Sequence, residues 1–301
     1  MRLIESIDIT PGMLTSSSIA EDDHPAWSSA TSYGLGARVI KAHRVWESVQ
    51  ASNLNHDPES DASSTWWVDV GATNRWRAFD SQLAPAVSAS TDIVYVITLN
   101  KRIDAIAMFG LIGSSVRLRV LDGASAVQYD QTFELASARQ INGWWDWFFA
   151  PFELVPSLII NNVPGYLGWR VEITIGGSGS RAVGEILLGR RIELGTSLVG
   201  TKVGFRDFSV KERDQWGGWQ IVKRGYSRTV DYQFSLPQSD VDRVFRTILR
   251  NRARMCVFSA GDDTDEFGLT VLGFVNDDGL SIPVTSPTCF ASLSVEGLTE
   301  E

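Results

Sequence analysis

From Ser81 to Leu194 the chain reads as short β-rich runs, and in two of them apolar and polar residues alternate with a period of two. Val116, Leu118 and Val120 fall on one side of a strand, and Arg117 and Arg119 on the other. Trp169, Val171, Ile173 and Ile175 oppose Arg170, Glu172 and Thr174 in the same way. That period leaves one face buried and one wet, so it predicts a sandwich and not a βαβ sheet. Six β-rich runs fill the region: DIVYVITLN, IDAIAMFG, SVRLRVLD, VQYDQTFEL, WRVEITI and VGEILLGRRIEL. Gly, Asn, Asp and Pro punctuate them, and no helical period intrudes. GGSGSR at Gly176 reads as a hairpin turn.

The pattern changes beyond residue 195. RDFSVKERDQWGGWQIVKRGYSRTVDYQFSL predicts a long hairpin turning at Gly217-Gly218. Then Val241, Val244, Phe245, Ile248 and Leu249 recur at helical spacing, which predicts one long helix with those five residues docked on a sheet. Ser239 or Asp240 is placed to cap it, and Arg250, Arg252 and Arg254 gather at its negative end. Four apolar runs follow, so residues 196–301 read as an α+β unit. At the other end RLIESIDI predicts a short strand that pairs with a later part of the chain. Thr15 to Pro25 is polar and turn-rich, hence a linker. The expected division is a strand and linker (1–25), a Trp-rich module (26–80), a β-sandwich (81–195) and the α+β unit (196–301). The fold class is mainly β.

Composition narrows the partners. A net charge of −9 and a pI near 4.9 argue against wrapping nucleic acid, which needs a basic face. No segment approaches the ~20 apolar residues of a membrane span, and no signal-peptide run opens the chain. Cys256 and Cys289 are far apart, so a disulfide framework is not expected; both read as buried small hydrophobes. His24, His43 and His56 match no zinc spacing, and His43 and His56 read as solvent-facing. GDDTDEFG at Gly261 and NDDG at Asn276 read as solvated turns. No nucleophile elbow or phosphate loop is present, so no enzyme, metal or cofactor is expected.

Two stretches hold surplus aromatic surface. Residues 26–80 carry Trp27, Trp46, Trp66, Trp67 and Trp76, five of the eleven tryptophans. So small a segment can bury only part of them. Exposed indoles beside Asn, Asp and Ser suit sugar rings; core packing is the competing explanation. Trp66 and Trp67 cannot both be buried on one strand, because successive side chains point to opposite faces. Between the strands, INGWWDWFFAPF presents Trp144, Trp145, Trp147 and Phe148 with two further Phe. These are expected at an oligomer or inter-domain contact, with a second sugar platform as the alternative.

Ala26-Trp27, Tyr33, Gly36, Val39, Val45-Trp46-Glu47-Ser48, Asn53, Pro58 and Trp66-Trp67 follow the order of the type-3 chitin-binding carbohydrate-binding modules. The segment departs from that family at Trp46, where Tyr is usual, and at Gly36-Ala37 in place of a Gly-Asp turn. The resemblance implies a three-stranded aromatic scaffold and sugar contacts at Trp66, Trp67, Tyr33 and Trp46. The order of the sandwich runs, ending in EILLG, is similar to galactose-binding-like jelly rolls. GATNRWRAFD from Gly71, and Lys202 to Leu298 with its closing SLSVEGL, resemble bacteriophage minor tail and baseplate proteins. Together these imply a virion tail-tip component, assembled in the host cytoplasm. Its expected partners are other tail proteins, further copies of itself and bacterial surface polysaccharide. The alternative is a polysaccharide-degrading enzyme with an accessory binding module.

Overall fold

The computed structural model describes residues 1–135, 144–145, 155–213, 215–261, 269–283 and 287–300. It is mainly β, and the one α-helix whose bounds lie wholly among the described residues has ten residues. The amino-terminal part supplies β1 (Arg2–Ser6) and β2 (Leu14–Ser17). The Trp-rich segment supplies β3 (Ser32–Tyr33), β4 (Arg38–Lys41), β5 (Arg44–Ser48), β6 (Asn53–Leu54) and β7 (Trp67–Ala72). Next come β8 (Val87–Ala89), β9 (Ile93–Thr98), β10 (Ile103–Phe109), β11 (Ser115–Leu121) and β12 (Val127–Glu134). They are followed by β13 (Ser157–Gly165), β14 (Arg170–Gly176), β15 (Arg181–Val183) and β16 (Glu185–Glu193). The last third holds β17 (Thr196–Ser197), β18 (Lys202–Asp207), β19 (Val210–Arg213), β20 (Trp219–Val222) and β21 (Tyr226–Pro237). Helix α1 (Val241–Arg250), β22 (Cys256–Ser259), β23 (Thr270–Ser281) and β24 (Thr288–Glu300) complete it.

A ten-stranded sheet runs in the order β13-β10-β16-β1-β22-β23-β24-β21-β17, with β18 also pairing to β21. The five-stranded sheet β12-β11-β14-β9-β2 shares a core with the β13-β10-β16 end. Val116, Leu118, Val120, Val171, Ile173 and Ile175 all point into that core and are fully buried. The six β-rich runs become β9, β10, β11, β12, β14 and β16. Strand β1 crosses the 195/196 boundary by pairing with β16 on one side and β22 on the other. Leu3 and Ile4 sit on its opposite faces and enter two different clusters, which is why a central strand reads LI without alternation.

Four expectations need correction. Thr15–Pro25 is not all linker: Leu14–Ser17 pairs with β9, since an open edge needs backbone donors and acceptors that any sequence supplies. SLIINNVPG, which lies outside the six runs, is strand β13. It is terminal in its sheet, where Pro164 costs no central ladder bond, and Asn162 takes a positive φ of 59°. NDDG lies inside β23, where the register with β24 shifts between Val275 and Leu280. Finally, the buried face of α1 is Val244, Thr247 and Ile248, continued by Asn251, whereas Phe245 and Leu249 are exposed. Thr247 fits there because its hydroxyl donates to the Arg243 carbonyl at 2.8 Å. Neither expected cap donates order to the helix start: Asp240 makes no capping bond and pairs instead with Arg243.

Candidate functional site

The Trp-rich segment folds on a three-stranded sheet, β4-β5-β7, with β3 and β6 paired beside it. Val39, Ser48 and Trp67 lie on its covered face and are buried. Tyr33 closes over Trp67 edge-to-face, with ring centroids 5.3 Å apart. Buried Asn53 donates to the Ser48 hydroxyl and the Trp66 carbonyl, tying the loop to β5. Asp61 then accepts the backbone N–H groups of Thr65, Trp66 and Trp67. Burial alone would raise its carboxyl, but those donors, with Ser63, outweigh burial and hold it below the usual range.

The structure separates the four proposed sugar contacts. Trp67 is 0% exposed and spends its indole N–H on the His56 carbonyl at 2.9 Å. It is scaffold and no longer a stacking candidate, because the inward register that pairs it with Ser48 buries its ring. Tyr33 is half-buried against it, and its hydroxyl accepts the Ser28 N–H. Trp46 is half-buried, with its indole N–H donated to the Lys41 carbonyl. Trp66 is half-buried and stacks face to face on His56, centroids 3.7 Å apart and 9° from parallel. His43 leans on Trp76 at 4.6 Å and meets Glu21 at 2.9 Å. Neither His43 nor His56 is the free surface residue expected of it; each covers apolar ring area.

Sequence reasoning missed the rest of this cluster. Lys41 lies 4.3 Å from the centroid of the Trp27 ring and bonds Asp57. That hydrogen bond holds the Asp57 carboxyl below the usual range. Trp27, Asp57 and Glu59 lie 14, 16 and 18 positions from the lysine, so no local motif flags the group.

A second cluster lies where the segment meets the large sheet. Glu185, at the start of β16, is buried and accepts the Ser81 N–H at 3.1 Å. Burial first, then the nearby Asp80 carboxyl, push it up to about 9. Burial pushes Asp80 up to about 6 against the opposing pull of the Gln82 N–H, Arg44 and Arg77. A cavity of about 270 Å³ lies beside the pair, lined by Ser6, Asp8, Phe79, Ser81, Glu185 and Arg254 among others.

Trp144 and Trp145 are both exposed, while Trp147 and Phe148 lie outside the described residues. The larger exposed aromatic surface is elsewhere. β18 leads out from β21 and continues into the β19–β20 ribbon, which turns at Gly217 with φ +86°. On this arm Phe205, Trp219 and Ile221 are each more than 60% exposed. No helix among the described residues is long and apolar enough to cross a membrane. Compared with known proteins, the chain matches no family model, and no curated protein is similar to it at a significant level.

Proposed function

We propose that this chain is a structural component of a bacteriophage tail tip or baseplate that displays a glycan-binding-type module for attachment to the host. The observation that supports it most is exposed apolar surface: Phe205, Trp219 and Ile221 on an arm, and Trp144 with Trp145. Apolar surface of that kind marks contact with other macromolecules. Tail proteins and further copies of the chain are the partners, and the virion is the location.

The glycan part rests on Trp66. An indole already stacked on His56 is stiff and loses little freedom on meeting a sugar face. One such site binds at about millimolar strength, or roughly −4 kcal/mol, so adhesion requires many copies. Virions labelled with antibody against the chain should show label at the tail tip. Full-length Trp66→Ala should lose binding to host cells while keeping its fold. Label confined elsewhere in the virion, or absent, would reject the assignment.

A polysaccharide-degrading enzyme remains the second reading because Asp80 and Glu185 are paired carboxyls pushed apart to about 6 and about 9. Glycoside hydrolysis uses such pairs. Against it, Glu185 is 4% exposed and its carboxylate is bonded to the Ser81 N–H. Release of reducing ends by the wild-type chain, abolished in Glu185→Gln, would reverse the order of the two.

A further inference from the structure

We propose that the arm of one copy docks along the open edge of β7 in a second copy, so that copies join head to tail. This rests on the assembly part of the function proposed above and names the two surfaces.

The charges complement each other. Residues 202–228 carry seven Lys/Arg and three Asp/Glu, in a chain that has 27 and 36 overall. Residues 21–72 carry eight Asp/Glu and three Lys/Arg. The acidic excess brackets β7. Asp61 binds the N–H groups of Trp66 and Trp67 at its start, and Asp23 binds that of Asn74 just past its end. Basic residues on the arm include Arg206, Lys211, Arg213, Lys223 and Arg224.

The backbones also fit. β7 is terminal in β4-β5-β7, and β19–β20 is a two-stranded ribbon among the described residues. Each therefore has a side without a neighbouring strand, although on β7 the Trp67 and Gly71 N–H groups are already held by Asp61 and Asp69. Beyond buried Trp67, β7 breaks its alternation: Val68, Asp69 and Val70 are exposed in succession. The ribbon answers with Trp219, Ile221 and Val222, all exposed. Open edges bearing β-branched and aromatic side chains are suited to strand addition.

The two surfaces spring from well-separated parts of the large sheet. The Arg77–Phe79 turn, at the root of the Trp-rich segment, packs on β16, whereas the arm grows from β21. Five strand steps separate those roots, roughly 24 Å at about 4.8 Å per step. Two different surfaces in contact make a heterologous interface, which propagates to a ring or a filament.

The test uses full-length chains in sedimentation velocity. Wild type should form oligomers that dissociate as salt rises. Ile221→Asp and Val68→Asp should each weaken self-association at least tenfold, with circular dichroism unchanged. Mixed one to one, they should form heterodimers and nothing larger, since one chain keeps only β7 and the other only the arm. Lys223→Glu should weaken wild-type assembly in the same way without replacing an apolar residue. A photo-crosslinker at position 219 should join copies at residues 66–74. Assembly unchanged in both Asp variants, or crosslinks mapping elsewhere, would overturn the docking while leaving assembly itself standing. A chain monomeric at all concentrations overturns the docking too, and cell binding by Trp66 then decides separately about the glycan part.

Discussion

Trp67 donates its indole N–H to the carbonyl of His56 at 2.9 Å, and by that bond it sets the ring on which Trp66 stacks. Two adjacent tryptophans thus divide the work. One is core; the other, half-buried, stacks on the ring that the first holds in place.

Substitution should separate these roles. Trp67→Ala should destabilise the Trp-rich segment by about 3–5 kcal/mol, the usual cost of emptying a buried indole site. Trp66→Ala should cost about 1 kcal/mol or less, because its ring is only half-buried and its loss leaves no closed cavity. Chemical denaturation followed by tryptophan fluorescence measures both. Equal losses would place the two rings in the same environment and remove the basis for treating Trp66 as the binding residue.

The Asp80–Glu185 junction should make stability fall as pH rises. Glu185 has an ordinary value of 4.5 and is raised to about 9 in the fold; Asp80 goes from 3.8 to about 6. Raised carboxyls favour the protonated form, so their contribution is complete below the unfolded values. It is lost through the window up to about 6 for Asp80 and up to about 9 for Glu185. Glu185→Gln keeps an acceptor for the Ser81 N–H and cannot ionise. At pH 8 it should be more stable than wild type by about 2–4 kcal/mol, with a flatter profile from pH 6 to 9. Parallel profiles for the two proteins would mean that Glu185 does not carry the effect.

Helix α1 offers a sharper check on packing. Ile248→Ala should cost about 2–4 kcal/mol and Val244→Ala about 2 kcal/mol, since both side chains fill the second core cluster. Phe245→Ala and Leu249→Ala should cost no more than about 1 kcal/mol, because each residue is nearly half exposed. Thermal melts of the four variants rank them directly. A larger loss for Phe245 than for Ile248 would return the buried stripe to the face that periodicity favours.

The sandwich strands are legible in the sequence because one buried and one wet face leave a period-two record, as in Val116 to Val120. The arm is legible from Gly217 and its flanking aromatics. What escapes is anything decided by a partner distant in sequence. Ser16 and Ser17 look like linker until β9 offers an edge. Helical periodicity cannot tell Phe245 from Thr247 as the inward residue, because a core seam narrower than the apolar stripe excludes part of it. In the Trp-rich segment the aromatic surplus is visible, but its division is not. Which of Trp66 and Trp67 is buried follows from the pairing of Ser48 with Trp67. Glu185 and Asp80 lie 105 residues apart, and neither has a local motif.

The central position of β1 leads to the last prediction. Leu3 faces Ile192 of β16 and Phe258 of β22 across the ladder, so five residues join strands that are otherwise more than sixty positions apart. Leu3 is 1% exposed, and truncation to Ala should cost about 2–5 kcal/mol. The more telling measurement is hydrogen exchange. If β1 couples the sandwich end of the sheet to the end that carries α1, Leu3→Ala should lower protection in β16 and β22 together. Leu118→Ala, placed in the sandwich core alone, should lower it in β11 and β14 and leave β22 nearly unchanged. Loss of protection in β22 alone after Leu3→Ala would show that the two ends open independently, and that the continuous sheet is a geometric feature without cooperative consequence.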